Sequence, residues 1–270
     1  VMVEESSDED KIRFDTGGSQ RMVIDDSGNL GIGTTTVTNN TLGTATYFGN
    51  STSSIVGDNT SGNSRFWLSN NWYYNSGDKY IITDEASLYT QQNGEHSFLT
   101  APSGSANSAI SFSTGLKIDN AGHVTKPLQP SVHVELASPQ NNIPVSTNQT
   151  VHFNNEIFDV NGDFNTSTYT FTAPVTGKYL FTTSIRMENT PTDFTYYYLY
   201  LVTSNGNRWG DILGNGSAHF NSAPTYNTMR FACVADLDAS DTAYVRIYQS
   251  GGTAQMDIDS NSNFCIQLLS

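Results

Sequence analysis

The chain has 270 residues with 26 Asp plus Glu against 12 Lys plus Arg, giving a formal net charge of -14, and only 14% of its residues are charged. It has no basic cluster to displace the counterions of a nucleic-acid backbone, which argues against DNA or RNA as a partner, and no apolar run long enough to cross a membrane as a helix. Fourteen Tyr, 14 Phe and 22 Gly among many Asn, Thr and Ser predict strands and turns rather than helices.

The chain opens on Val1, which predicts processing or a fragment of a longer protein. Its first ten residues hold Glu4, Glu5, Asp8, Glu9 and Asp10, read as a solvated lead-in. An internal repeat follows. Ile12-Arg-Phe-Asp-Thr-Gly17 matches Ile110-Ser-Phe-Ser-Thr-Gly115, and Ile24-Asp-Asp-Ser-Gly-Asn-Leu30 matches Ile118-Asp-Asn-Ala-Gly-His-Val124. Each copy predicts a short hairpin, with Asp accepting local backbone hydrogen bonds and Gly supplying positive φ. Hairpins this short bury too little to fold alone, so they predict partners, which identical chains around a threefold axis would supply.

Residues 41–109 predict a meander of short strands with Asn-Gly and Pro-x-Gly turns. Trp67, Trp72 and Tyr74 are expected to fill a small trimeric core, with a sugar-stacking platform as the alternative. A composition shift, followed by Pro130, Pro139 and Pro144, puts a boundary near 127–130. The expected segments are 1–40, 41–127 and 128–270. In the last, Tyr179, Phe181, Thr183, Ile185 and Met187 alternate onto one strand face. Tyr196, Tyr198, Tyr200 and Val202 share one face of the next strand, and Tyr197, Leu199 and Leu201 share the other. Further strands are expected at Met229–Ala235, Ala243–Ser250 and Phe264–Leu269. The fold class is all-β, with hairpin stalk segments followed by a β-sandwich head.

Arg21 to Thr34 contains I-D-D-S-G-N-L-G-I-G-T, which resembles the repeats of bacteriophage tail fibres and related viral surface fibres. Tyr89 to Gly104 is similar to a module of the same fibres. The second repeat departs from the pattern at Thr125-Lys126-Pro127. This resemblance implies a trimeric virion protein. Val151, Phe153, Asn161, Gly162, Phe164, Phe171, Pro174, Gly177, Tyr179 and Phe181 resemble the globular head of complement component 1q, within the tumour necrosis factor-like superfamily. Leu237–Ala243 and Phe264–Leu269 stand at two further motifs of that head. Ser240 replaces a glycine there, and Cys265-Ile266 replaces Ser-Gly. This second resemblance implies a jelly-roll trimer with an apolar axis.

No enzymatic activity is expected. His96, His123, His133, His152 and His219 show neither metal nor triad spacing, and G-x-S-x-G, H-E-x-x-H and P-loop motifs are missing. Cys233 and Cys265 predict buried free thiols rather than a framework or a zinc site. Six N-x-[ST] sequons, at Asn39, Asn50, Asn59, Asn148, Asn165 and Asn215, match chance in so polar a chain. Asp236, Asp238 and Asp241, with Asp257 and Asp259, are candidate oxygen ligands for Ca²⁺.

The expected function is a homotrimeric virion fibre protein. Its N-terminus would join other tail or baseplate proteins, and its head would recognise a host surface glycan or protein. The alternative is a structural fibre or decoration protein without receptor binding. Candidate contacts are Trp209, His219, Phe220, Tyr226 and Tyr197, expected as exposed groups on loops of the head.

Overall fold

A computed structural model describes residues 10–38, 40–49, 52–58, 65–206 and 208–270; the side chains of Arg208 and Trp209 are outside that description. Glu4, Glu5, Asp8 and Glu9 of the acidic lead-in, and sequon residues Asn39, Asn50 and Asn59, also lie outside it. The chain divides into two compact units, Val1–Pro127 and Leu128–Ser270.

The first unit is built on one ten-stranded sheet whose strands follow each other in chain order. They are β1 Ile12–Thr16, β2 Ser19–Ile24, β3 Leu30–Ile32, β4 Gly43–Phe48, β5 Ser53–Asp58, β6 Arg65–Asn70, β7 Asp84–Gln92, β8 Glu95–Gly104, β9 Ser113–Ile118 and β10 Val124–Thr125. All neighbours pair antiparallel except β3 and β4, which are parallel. One face buries Ala45, Tyr47, Val56, Trp67, Leu88 and Ala101 beneath Trp72, Tyr80 and Ile110, which come from the connections. Trp67 and Trp72 lie 5.9 Å apart, and the Trp72 indole donates to Asp78 Oδ1 at 2.7 Å. The two tryptophans thus fill a core made within one chain, not one shared between copies.

Asn71 ties this core together. It is buried at φ 57°, a conformation that asparagine tolerates better than most residues. Its side chain accepts from the Ile81 and Ile82 amides at 3.0 and 2.8 Å and donates to the Ile82 and Glu85 carbonyls at 3.2 and 2.9 Å.

The repeat is real at the second turn of each copy. Asp25 Oδ1 accepts from the Ser27 and Asn29 amides, and Asp119 Oδ1 accepts from the Ala121 and His123 amides, all at 2.7–3.1 Å. Gly28 and Gly122 take the positive φ that each turn needs, 79° and 86°. The first halves differ. Gly17 sits in the β1–β2 turn, whereas Gly115 lies inside β9 and Ile110 is a buried part of the core. The expected hairpin at 110–115 is therefore not formed. Both repeats belong to the same intrachain sheet, so the partners that complete their ladders are strands of their own chain.

The second unit is a two-sheet sandwich. Its strands are β11 Ser131–Glu135, β12 Gln140–Ile143, β13 Gln149–Thr150, β14 Asn155–Asp159, β15 Phe164–Asn165, β16 Thr170–Thr172, β17 Gly177–Glu188, β18 Tyr196–Thr203, β19 Arg208–Leu213, β20 Tyr226–Leu237, β21 Thr242–Ser250, β22 Met256–Ile258 and β23 Asn263–Leu268. One sheet runs β12-β22-β17-β23-β11-β14, with β20 on the other side of β17. The second runs β15-β16-β21-β18-β19, with β13 also on β21. This interleaving of early and late strands is the jelly-roll arrangement.

The core lies between the sheets. Tyr179, Phe181, Thr183, Ile185 and Met187 of β17 all point into it, as their alternation predicts. Phe264 stacks on Phe153 and Phe181 with ring centres 5.7 and 5.9 Å apart. The Tyr179 hydroxyl donates to the Val175 carbonyl at 2.7 Å, so this buried phenol keeps a partner. Asp159 accepts from the Asp163 and Phe164 amides at 3.0 and 2.8 Å, closing the Asn161-Gly162 turn in which both residues have positive φ.

Candidate binding surfaces

Each unit carries apolar side chains on the outer side of a sheet. In the first unit it is the sheet face opposite the tryptophans. Direct cross-strand partners form one row through β1 to β9: Ile12, Ile24, Leu30, Thr46, Ile55, Leu68, Tyr89, Phe98 and Leu116. Every member but Thr46 is apolar or aromatic, and none is charged. Leu68 is 41% exposed and Phe98 46%. An antiparallel sheet with one solvated face normally carries polar residues there, whereas apolar residues on both faces mark a sheet that is covered on both. Contiguous apolar surface of this extent marks an interaction site in a soluble protein.

In the second unit, β14, β11, β23, β17 and β20 turn Phe158, His133, Cys265, Leu180, Thr182 and Val234 away from the core. Phe158 and Val234 are both exposed, and a shallow apolar cleft of about 160 Å³ lies among Phe158, Leu180, Thr182 and Cys265. Cys233 and Cys265 are free thiols. Burial pushes the Cys233 thiol up to about 11, so it is protonated at neutral pH.

The five residues singled out from the sequence end up in different settings. Tyr197 is fully buried, its ring 4.3 Å from Phe194 and its hydroxyl 3.1 Å from Gln249 Oε1. It is a core residue; in the opposite set of β18, Tyr196 is exposed, Tyr198 half-buried, and Tyr200 and Val202 buried. Trp209 pairs through its backbone with Leu201, and its side chain lies outside the described residues. His219 ends the four-residue helix α1, Gly216–His219, which Asn215 caps. Its ring lies 6.3 Å from Phe220, which packs partly on the core. Tyr226 is 52% exposed at the start of β20, with the Arg186 guanidinium 4.5 Å from its ring centre. Of these five, ring contact joins only His219 and Phe220 among the described residues.

All the candidate calcium ligands except Asp238 take protein donors. Asp236, Asp238 and Asp241 line a cleft of about 360 Å³ together with Lys178. Lys178 Nζ pairs with Asp236 at 3.2 Å. The Ser204 hydroxyl donates to Asp241 Oδ1 at 2.5 Å and the Asp238 amide to Oδ2 at 2.9 Å, and these bonds lower the Asp241 pKa. Asp257 accepts from the Asn142 amide and the Asn189 side chain, both at 2.7 Å. Arg186 reaches Asp259 at 2.6 Å. Among the described residues no group of three or more His, Cys, Asp or Glu is placed to hold a metal.

Sequence reasoning missed an aromatic row on the outer side of the second sheet. Tyr196, Tyr198 and Tyr200 on β18 stand beside Tyr244, Arg246 and Tyr248 on β21; Tyr196 is exposed, Tyr200 is buried and the others are half-buried. The outward side of β21 was not read, although its Tyr-x-Arg-x-Tyr spacing is visible in the sequence.

These observations define the C-terminal unit as a nearly all-β jelly roll with aromatic side chains on its outer faces. The C1q domain family matches residues 136–269, and this unit has the jelly-roll fold of that domain. Such domains are typically homotrimeric, often mediate binding and are typically non-enzymatic. No curated protein matches the chain. Similar solved structures include the globular domain of zebrafish complement 1qA, 20% identical over 53% of this chain and 98% of that one, with a TM-score of 0.38. Murine APRIL at pH 8.0 is 16% identical over 52% of this chain and 99% of that one, also with a TM-score of 0.38.

Proposed function

We propose that the protein is a homotrimeric virion fibre subunit. Its N-terminal unit associates with copies of itself and connects to other virion proteins, and its C-terminal domain attaches to a receptor on the host-cell surface. The uncharged apolar row from Ile12 to Leu116 carries the reading. In a chain of net charge -14, nine strands contribute to one row without placing a single charge in it. A surface so depleted of charge suits burial against a copy of itself. The resemblance of Arg21–Thr34 to viral fibre repeats supports a virion location, and the C1q/TNF-like domain supports a trimeric binding head. Assembly would multiply weak receptor contacts by avidity.

Light scattering of the full chain at micromolar concentration tests the assembly; three times 29.5 kDa is the expected mass. Adhesion of fluorescently labelled full chain to a panel of bacterial cells tests the attachment. A monomeric mass refutes the trimer, and failure to retain the protein on any cell of the panel counts against the receptor role.

A further inference from the structure

The outer face of β18 and β21 is built for a ligand more specific than "a receptor". Register sets Tyr198 opposite Tyr248, Tyr200 opposite Arg246 and Val202 opposite Tyr244. The rings come in neighbouring pairs, Tyr196–Tyr248 with centres 6.1 Å apart and Tyr198–Tyr200 at 5.0 Å. The Arg246 guanidinium carbon lies 5.0 Å from the centre of the Tyr244 ring. The Tyr200 hydroxyl donates to Asn148, which anchors the floor of the patch.

Arg246 is the unusual member. The chain has more than twice as many acidic as basic side chains, yet among the described residues Arg246 has no carboxylate partner. Its Nε is buried and donates to no described residue. The outward positions beside it are Tyr200 on β18 and Thr150 on β13. A guanidinium held against aromatic rings is a planar, fixed-charge donor suited to a carboxylate.

The backbone around it also narrows the ligand. β21 is hydrogen-bonded to β18 on one side and to β13 and β16 on the other. No free edge exists there for an extended peptide to add as a strand. Among the described side chains, the face offers ring surface beside the Arg246 cation. A sugar ring presents an apolar C–H face to stack on tyrosine, and a uronic acid adds the carboxylate.

We propose that this tyrosine–arginine face binds a carboxylate-bearing saccharide of the hexuronate type, its carboxylate on Arg246 and its ring faces against Tyr198 and Tyr248. This rests on the host-attachment reading and deepens it by naming the ligand class.

The full chain is titrated calorimetrically with trigalacturonate, a hyaluronan tetrasaccharide, maltotriose and poly-L-glutamate. At least one of the two uronate sugars binds, and maltotriose binds about tenfold more weakly or worse, as expected for loss of one charge-assisted contact. Arg246→Gln brings the uronate sugar down to the maltotriose level, Arg246→Lys keeps part of the preference, and Tyr248→Ala weakens both sugars. The proposal is overturned if neither uronate sugar binds, if maltotriose binds equally well, or if poly-L-glutamate binds as tightly, which would point to an acidic protein instead. If Arg246→Gln fails to fold, the wild-type comparison of charged and neutral sugars and the Tyr248→Ala chain still decide it. Cell adhesion separates the two levels. Wild-type adhesion that is unchanged in folded Arg246→Gln leaves the attachment reading standing and removes this site. Uronate binding without adhesion to any cell keeps the site and removes the attachment reading.

Discussion

Phe98→Glu is the sharpest test of the apolar row. Phe98 sits near its end, 46% exposed, with its ring 4.8 Å from Tyr89 on the neighbouring strand. A buried aromatic side chain covers roughly 150–250 Å², so about 90 Å² of Phe98 remains to be covered by a partner. At about 25 cal/mol per Å² that contact contributes about 2 kcal/mol per copy. Over three copies the sum is about 6 kcal/mol, roughly four decades in the assembly constant. A buried, unpaired carboxylate adds to the loss in the same direction. Within a single chain the change is mild: it removes one cross-strand aromatic pair, about 1 kcal/mol. The variant should therefore keep its near-ultraviolet circular dichroism while its mass by light scattering falls to that of one chain at micromolar concentration. A folded Phe98→Glu chain with the wild-type oligomeric mass would refute the assignment of this face to an interface between copies. A variant that unfolds at concentrations where the wild type is monomeric would show that the row stabilises the chain itself.

Other perturbations test the two cores and the charged cluster. Asn71→Ala removes four hydrogen bonds to backbone groups and leaves alanine at φ 57°, so thermal denaturation should show a loss of about 3–5 kcal/mol. Phe264→Ala opens a cavity between Phe153 and Phe181 and should cost about 3–5 kcal/mol by urea denaturation, with the C-terminal unit affected. The Asp259 carboxyl is raised by burial and lowered more strongly by Arg186 and the Asn261 donors, so its net pKa lies below the usual range. A depressed carboxyl contributes stability above its unfolded value of about 4 and loses it as pH falls further. Arg186→Gln should therefore lower the melting temperature at pH 7, and the gap to wild type should narrow below about pH 4. Cys233, with its thiol pushed up to about 11, should react slowly with an aromatic disulfide reagent at pH 7.5 and rapidly in urea; fast reaction of the folded chain would contradict its burial.

The alternation of β17 was legible because its two faces differ in kind: aromatic and aliphatic residues at odd positions, Lys178, Ser184, Arg186 and Glu188 among the even ones. In β18 the same reasoning identified the two sets but not which one faces the core. Tyr197, Leu199 and Leu201 are hardly more apolar than Tyr196, Tyr198, Tyr200 and Val202. The deciding signal lies on the paired strand, where Ala243, Val245 and Ile247 alternate with Tyr244, Arg246 and Tyr248. Only one phase of β21 can enter a core without burying a guanidinium, and register then turns Tyr198 and Tyr200 outward with it. The Asp-x-x-Gly turns at 25–28 and 119–122 were legible for a local reason, since all their hydrogen bonds close within five residues. The order of the ten-stranded sheet was not, because β6 pairs with β7 across the Asn71–Thr83 connection and β3 meets β4 in parallel.

The two faces also explain each other. A sheet row with no charge in an acidic chain has no favourable exposed state, so it needs a partner of the same kind. The tyrosine face differs at one position, because Arg246 keeps a fixed positive charge that a copy of this chain cannot satisfy with the same face. Stacked on itself, it would bring two guanidinium groups together without a carboxylate between them. Self-association therefore favours the Ile12–Leu116 row, and the tyrosine face is left for a ligand that brings its own negative charge.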